Sequence, residues 1–445
     1  MGGIGKTELA LQYAHFHLKQ KTYKGGICWL DCRGKNVGLQ ILTFARSQFN
    51  LQIPTEEDLQ TRIKFCWRHW PQGDVLIIFD DVVDYKEIKD CIPPGIPRFK
   101  AIITTRQKWL EQSFEKLELE VLDALSALDL LISYVGSSRI EAERKEAEEL
   151  CKDLGFLPLG LELVARYLER KPNLSLVEIR QTLKLEDESL EPFSTDMTAQ
   201  RGVAAAFELS WNELDKDSQK LGCLLSLFAS TPIPWDFVEK CLLKNERQEK
   251  SIIRKLFPTF LRLWLLFVPR KGAKVLDSKA WKNKRDDRLI NFSLLQYVGG
   301  SNYGLHPLIR QYFRNKLAEF DSSAEEMKHS ICKVIAESAT AIPQSITVQQ
   351  VNEVEVYIPH IVEVAENLRE YLSEDDLIIP FSRLGWFYQG QALYSQAQLW
   401  FEKGKEMAEQ RFRKEHRDTA TTLNNLAGLY HDQGRYDDAE PLYLQ

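Results

Sequence analysis

Long apolar runs are missing from this sequence of 445 residues. The best stretch, Phe257 to Val268, is interrupted by Arg262 and falls short of the roughly 20 residues that a membrane helix needs. No charged start followed by an apolar block and small residues reads as a secretory leader. Cysteines at metal or redox spacing are missing too. The eight are scattered, and the close pair, Cys28 and Cys32, sits four apart on one face of an expected strand, without C-x-x-C spacing. Buried free thiols in a reducing compartment follow, and a cytoplasmic protein is expected. There is no basic excess: the net charge is −6, which argues against nucleic acid or an anionic membrane as the main partner. What is present is ordinary globular material, 44% apolar and 27% charged, enough for about two to four domains.

A partial motif opens the chain. Gly2, Gly3 and Gly5 run into Lys6, Thr7 and a helical pattern of Leu9, Ala10, Leu11, Tyr13 and Ala14. Glycines let a backbone turn tightly and aim its N–H groups at one point, where the following helix adds partial positive charge. Lys6 can reach terminal phosphates, and the Thr7 hydroxyl can ligate Mg²⁺. The full pattern G-x-x-x-x-G-K-[ST] asks for an earlier glycine and a feeding strand. Both are missing, so the sequence is expected to begin inside a domain.

Downstream, Gly26–Asp31 reads as a strand and 36–50 and 58–70 as helices. Asp74-Val-Leu-Ile-Ile-Phe-Asp80-Asp81 reads as a fully buried parallel strand that delivers two acids at its carboxyl end. There Asp80 would hold Mg²⁺ through water and Asp81 would orient an attacking water. A third strand, 100–106, ends in Thr104, Thr105 and Arg106, a hydroxyl pair and a guanidinium suited to sensing a terminal phosphate. Alternating helices and strands predict a parallel α/β sheet over 1–121.

From 122 the strands stop. Helices are expected at 124–135, 141–155 and 161–170, with the turn Gly155-Phe-Leu-Pro158-Leu-Gly160 between the last two. The span 122–200 is expected to be a helical lid. Over 201–320 the pattern predicts a winged helix: helices at 204–214, 217–226, 235–244 and 250–261, then strands at 265–268 and 288–298. Between those strands lies a charged insertion with Lys271, Lys274, Lys279, Lys282, Lys284 and Arg285. A basic wing of this kind can touch DNA phosphates, though a solvated loop is the commoner outcome and DNA is not expected as a partner. The region closes on Tyr303-Gly-Leu-His306-Pro-Leu-Ile-Arg310.

After a helical linker over 321–378, a repeat with a period of 42 occupies 379–445: Leu384 recurs as Leu426, Tyr388 as Tyr430, Tyr394 as Tyr436, Ala397 as Ala439 and Phe401 as Tyr443. Such helical hairpins cannot bury their apolar faces alone, so a solenoid of about three or more is expected to continue past Gln445.

The series Gly-Gly-Ile-Gly-Lys-Thr, Leu-Ile-Ile-Phe-Asp-Asp, Ile-Ile-Thr-Thr-Arg, Gly-Phe-Leu-Pro-Leu and Leu-His-Pro-Leu-Ile resembles the NB-ARC branch of the STAND signalling ATPases, and the repeats look like tetratricopeptide repeats. The resemblance implies a nucleotide-operated switch on ADP/ATP and Mg²⁺, at most a slow ATPase. It implies that Gly2, Gly3, Ile4, Gly5, Lys6, Thr7 and Glu8 cradle phosphates, with Thr7 and Asp80 at the metal. Asp80 and Asp81 would be the acidic pair, Arg106 with Thr105 would sense the γ-phosphate, and Pro158 would pack near the nucleoside. His306 would contact the ADP β-phosphate and close the off state. The family often has Met-His-Asp where this sequence has Leu305-His306-Pro307. Repeats sensing a protein or peptide, an effector domain before the loop, and oligomerisation on activation are further implications. The runner-up is a transcription regulator of the same ATPase class that binds DNA through the winged helix.

Overall fold

The computed structural model describes residues 3–33, 36–54, 57–107, 110, 114–189, 198–242, 278–413 and 415–445. Expected elements at 250–261 and 265–268, and the loop residue Gly2, lie outside them.

Helix α1 (Lys6–Gln20) leads to β1 (Gly26–Asp31), α2 (Val37–Phe49), α3 (Leu59–Arg68), β2 (Val75–Val82) and β3 (Phe99–Thr105). The strands form a parallel sheet in the order β1-β2-β3. The apolar run of β2 is buried on both faces, as its composition requires. Leu76 and Ile78 pack with Ala10 and Ala14 of α1, while Val75, Ile77 and Phe79 join the main core. Each such side chain contributes about 1.5–3 kcal/mol by leaving water.

The helical stretch follows as Ala124–Val135, Ser137–Ala142, Arg144–Asp153 and Pro158–Arg170. The expected helix over 141–155 is broken at Glu143, whose φ of −123° is non-helical. Its carboxylate instead accepts from the Leu176 N–H at 2.9 Å.

Beyond the helices Thr198–Asn212 and Lys216–Ser226, β4 (Ile233–Pro234), β5 (Gln296–Gly299) and β6 (Asn302–Gly304) form an antiparallel sheet in the order β4-β6-β5. The strand expected over 288–298 is shorter than the sequence suggested: Arg285–Ile290 is a wide helical turn, and strand begins at Gln296. Arg285 lies 4.5 Å from the Trp235 ring and 4.4 Å from the Tyr303 ring, and Leu289 is fully buried. Asp287, which would share a strand face with Arg285 and Leu289, is exposed, so the burial follows a helical period and not a period of two.

The rest is helical: Pro307–Leu317, Asp321–Ala339, Val348–Val354 and Ile358–Asn367, then the hairpins Ile379–Gln389/Tyr394–Arg411 and Arg417–Asp432/Tyr436–Tyr443. In the first hairpin a Cβ on Gly385 would fall 2.1 Å from the Phe401 ring, so the two helices meet where a side chain is missing. No helix among the described residues is long and apolar enough to cross a membrane.

Candidate functional site

The carboxyl end of β2 gathers the sequence-predicted residues. Asp80 is buried, and its Oδ1 accepts from the Thr7 hydroxyl at 2.9 Å and the Thr104 hydroxyl at 2.6 Å. Burial pushes the Asp80 carboxyl up, and those two hydrogen bonds pull against it. The Thr104 oxygen also accepts from the Asp81 N–H at 2.8 Å, so one hydroxyl joins both aspartates. Asp81 sits at φ +56°, where the register with β3 shifts between Phe79 and Val82. That bulge turns its carboxylate to Arg33 Nε at 3.1 Å and Arg106 Nε at 3.9 Å.

The glycine loop lies beside these acids. Gly5 caps α1 at φ +95°, with open space where a Cβ would stand. Gly3 is at φ +74°, and a Cβ there would lie 3.3 Å from both Leu159 Cβ and Leu308 Cδ1. The loop is therefore held against the turn after Pro158 and the turn after His306, which brings three sequence-distant motifs together. Pro158 opens its helix in the first turn. Ile4 is half-buried in the same bend. Glu8 is exposed, and its carboxylate accepts from Gln12 at 2.7 Å. The Lys6 ammonium is pushed down by burial and then by Arg106, while Asp81 and Asp80 hold it up.

His306 closes the ring of residues. Its Nδ1 accepts from the Leu308 N–H at 3.2 Å, which caps the Pro307–Leu317 helix. That bond places the ring proton on Nε2, leaving a donor. Burial first, then the charge of Arg106, lowers its pKa to about 4, so the ring is neutral near pH 7.

Of the two expected hydroxyls, Thr104 rather than Thr105 reaches Asp80. Thr105 donates to the Val82 carbonyl at 2.7 Å and accepts from the Gln107 N–H at 3.0 Å. Arg33 was missed by the sequence reading. The register Asp31↔Asp80 puts a residue two past Asp31 beyond the same sheet edge, a signal that needs the strand pairing first. Lys6, Arg33 and Arg106 thus surround Asp80 and Asp81 beside a helix N-terminus, a donor set that fits a polyphosphate. The Thr7 hydroxyl against the Asp80 carboxylate fits a hard divalent cation that keeps most of its waters.

The basic insertion is largely neutralised where it is described. Lys282 pairs with Glu239 at 3.0 Å, Lys284 with Asp215 at 2.7 Å and Asp217 at 3.2 Å, and Arg285 with Asp286 at 2.7 Å.

Residues 1–141 match the model of the NB-ARC domain and residues 376–445 that of the tetratricopeptide repeat. The chain is 26% identical over 222 residues to the "Regulatory protein AfsR" of Streptomyces griseus, a match covering 48% of this chain and 22% of that protein. It is 30% identical over 190 residues to a "Putative disease resistance protein" of Arabidopsis thaliana, covering 38% of this chain and 22% of the relative. The alignments therefore span less than a quarter of these relatives' length. A solved STAND protein with a tetratricopeptide repeat sensor from Pyrococcus horikoshii aligns over 97% of this chain and 75% of its own, at 14% identity and a TM-score of 0.37.

Proposed function

We propose that this chain, in which an NB-ARC domain at residues 1–141 is joined to tetratricopeptide repeats at 376–445, is a signalling switch run by ADP and ATP with Mg²⁺. Its parts are a nucleotide domain (1–121), a helical lid (122–200), a winged helix (201–320), a helical linker (321–378) and the repeats. The observation that supports this most is the convergence of Gly3, Leu159 and Leu308, which sets the phosphate loop, the Pro158 turn and His306 around one spot.

Lys6, the N–H groups of the loop and the neutral His306 Nε2–H would hold the diphosphate, with Thr7 and Asp80 at the metal. A bound divalent cation neutralises phosphate charge. Arg106 and Arg33 hold Asp81 through its two oxygens, which keeps its carboxylate from serving a water and suits slow hydrolysis. A γ-phosphate competing for Arg106 would loosen that pair. A ligand shifts a conformational equilibrium only by its difference in affinity between states, and contact with His306 gives ADP such a preference for the closed form. The repeats would bias the same equilibrium by binding a protein or peptide, with output through an effector segment and oligomerisation.

The test is ADP binding by the whole chain, read with a fluorescent analogue. Lys6→Ala should weaken binding about tenfold or more, the worth of one charge-assisted hydrogen bond. Equal affinity would remove the site assignment. The DNA-binding alternative takes support from the regulatory name of the Streptomyces relatives. The acids facing Lys282, Lys284 and Arg285 weigh against it.

A further inference from the structure

Lys6, Arg33 and Arg106 face two carboxylates at the end of β2, and the two are not equally engaged. Asp80 is taken up by the Thr7 and Thr104 hydroxyls. Asp81 is left with the guanidiniums, one on each oxygen: Arg33 Nε lies 3.1 Å from Oδ2 and Arg106 Nε 3.9 Å from Oδ1. An anion held between two arginines is also the setting in which a terminal phosphate is recognised, because the guanidinium fork fits carboxylate and phosphate alike. A phosphate brings more negative charge and a third acceptor oxygen, so it is the stronger partner for the same two groups.

The backbone fixes where Arg33 stands. The Cys32 N–H donates to the Asp80 carbonyl at 2.9 Å, which carries the bonding between β1 and β2 one residue past β1. The Arg33 N–H donates to the Asp31 carboxylate at 3.3 Å. Among the described residues Asp81 is the acid with which the Arg33 side chain pairs. Asp81 itself sits at φ +56°, a left-handed conformation that an aspartate adopts at some strain. Such strain persists where the surroundings fix it, here the Thr104 hydroxyl on the Asp81 N–H and an arginine on each oxygen. The three side chains are open to a solute: 26% of Arg33, 40% of Arg106 and 23% of Asp81 is exposed. Arg33 also acts on the His306 side. Burial first, then Arg106, and Arg33 after them lower the His306 pKa, and Arg33 adds to burial and Arg314 in lowering that of Arg310.

We propose that Arg33 is a ligand for the γ-phosphate of ATP, and that Asp81 stands in for that phosphate until ATP arrives. The γ-phosphate replaces the Asp81 carboxylate on Arg33 as well as on Arg106. ADP ends one phosphate short and leaves the Asp81–Arg33 pair closed. Arg33 thereby sets the preference between triphosphate and diphosphate, since specificity is a difference of two affinities. This role rests on the nucleotide-switch reading.

The test is displacement of a fluorescent ADP analogue from the whole chain, with Mg²⁺ present, by ADP and by ATPγS, a slowly hydrolysed triphosphate. Arg33→Gln should weaken ATPγS about tenfold or more, as the loss of one charge-assisted hydrogen bond does, and leave ADP within about twofold. Arg33→Lys, which keeps the charge without the fork, should recover part of that loss. Asp81→Asn keeps the shape and removes the competing charge, so ATPγS should bind several-fold tighter with ADP unchanged. Equal weakening of both nucleotides by a folded Arg33→Gln, or weakening of neither, overturns the assignment. Should Arg33→Gln fail to fold, Asp81→Asn decides: ATPγS bound no tighter than by wild type overturns the stand-in. A wild-type chain that binds neither nucleotide sinks the switch reading itself, whereas ADP binding with an unaltered ratio in both variants sinks this inference alone.

Discussion

His306 is the residue whose chemistry can be tested without a nucleotide. Its folded pKa of about 4 lies below the ordinary value of 6.5, so the unfolded chain binds the proton more tightly. The sign follows: stability is full above about pH 6.5 and is lost as pH falls towards 4. Between pH 7 and pH 5 this one group costs about 2 kcal/mol. His306→Asn keeps a good helix cap and removes the titration. The variant should lose about 2 kcal/mol less than wild type over that interval in denaturant titrations. Parallel losses would mean that folding leaves the His306 pKa where it is in the unfolded chain. At this scale the sequence was informative about residue type and silent about direction. It offered Thr104 and Thr105 as a pair, and only the register with β2 shows which hydroxyl faces Asp80. Arg33 belongs to no motif, and a long side chain between elements carries no periodic signal.

Among the elements, those defined by one strong pattern were legible. Five apolar residues before two acids could be little other than a buried strand, and β2 is one. Arg285–Ile290 misled because its periodicity depends on a buried arginine, whose cover, the Trp235 and Tyr303 rings, comes from elsewhere in the chain. The repeat was legible by its period, which also aligns backbone strain. Ala392 and Gly434, one period apart, both turn their hairpins at positive φ, +59° and +73°. An alanine there carries a penalty that glycine does not. Ala392→Gly should therefore raise stability by up to about 1 kcal/mol. Gly385→Ala should lower it by about 1–3 kcal/mol, because the added methyl meets the Phe401 ring. Chemical denaturation of the two variants checks both signs. A destabilising Ala392→Gly would show that hairpin rigidity outweighs the strain.

For the whole molecule, the order of motifs pointed to the assembly, but the joints are single residues without a pattern. Arg62 of α3 donates to the Gln391 carbonyl in the turn of the first repeat at 2.9 Å. The Pro307–Leu317 helix is the longer link. It starts at His306 beside the glycine loop, and from its side Arg310 and Arg314 meet Glu363 at 3.0 and 2.5 Å. Glu363 belongs to the Ile358–Asn367 helix that leads towards the repeats. Arg310 is well buried; burial pushes its pKa down, and Glu363 is the charge that holds it up. Glu363→Gln leaves two guanidiniums without their shared carboxylate, and stranding a buried charge costs about 3 kcal/mol. If the helix transmits repeat position to His306, the variant should also release ADP several-fold faster, read by displacement of a fluorescent analogue. Lower stability with unchanged ADP release would make the pair a local brace and would move the coupling to the Arg62–Gln391 contact. Faster release in Glu363→Gln but not in Arg62→Ala would assign it to the His306 helix.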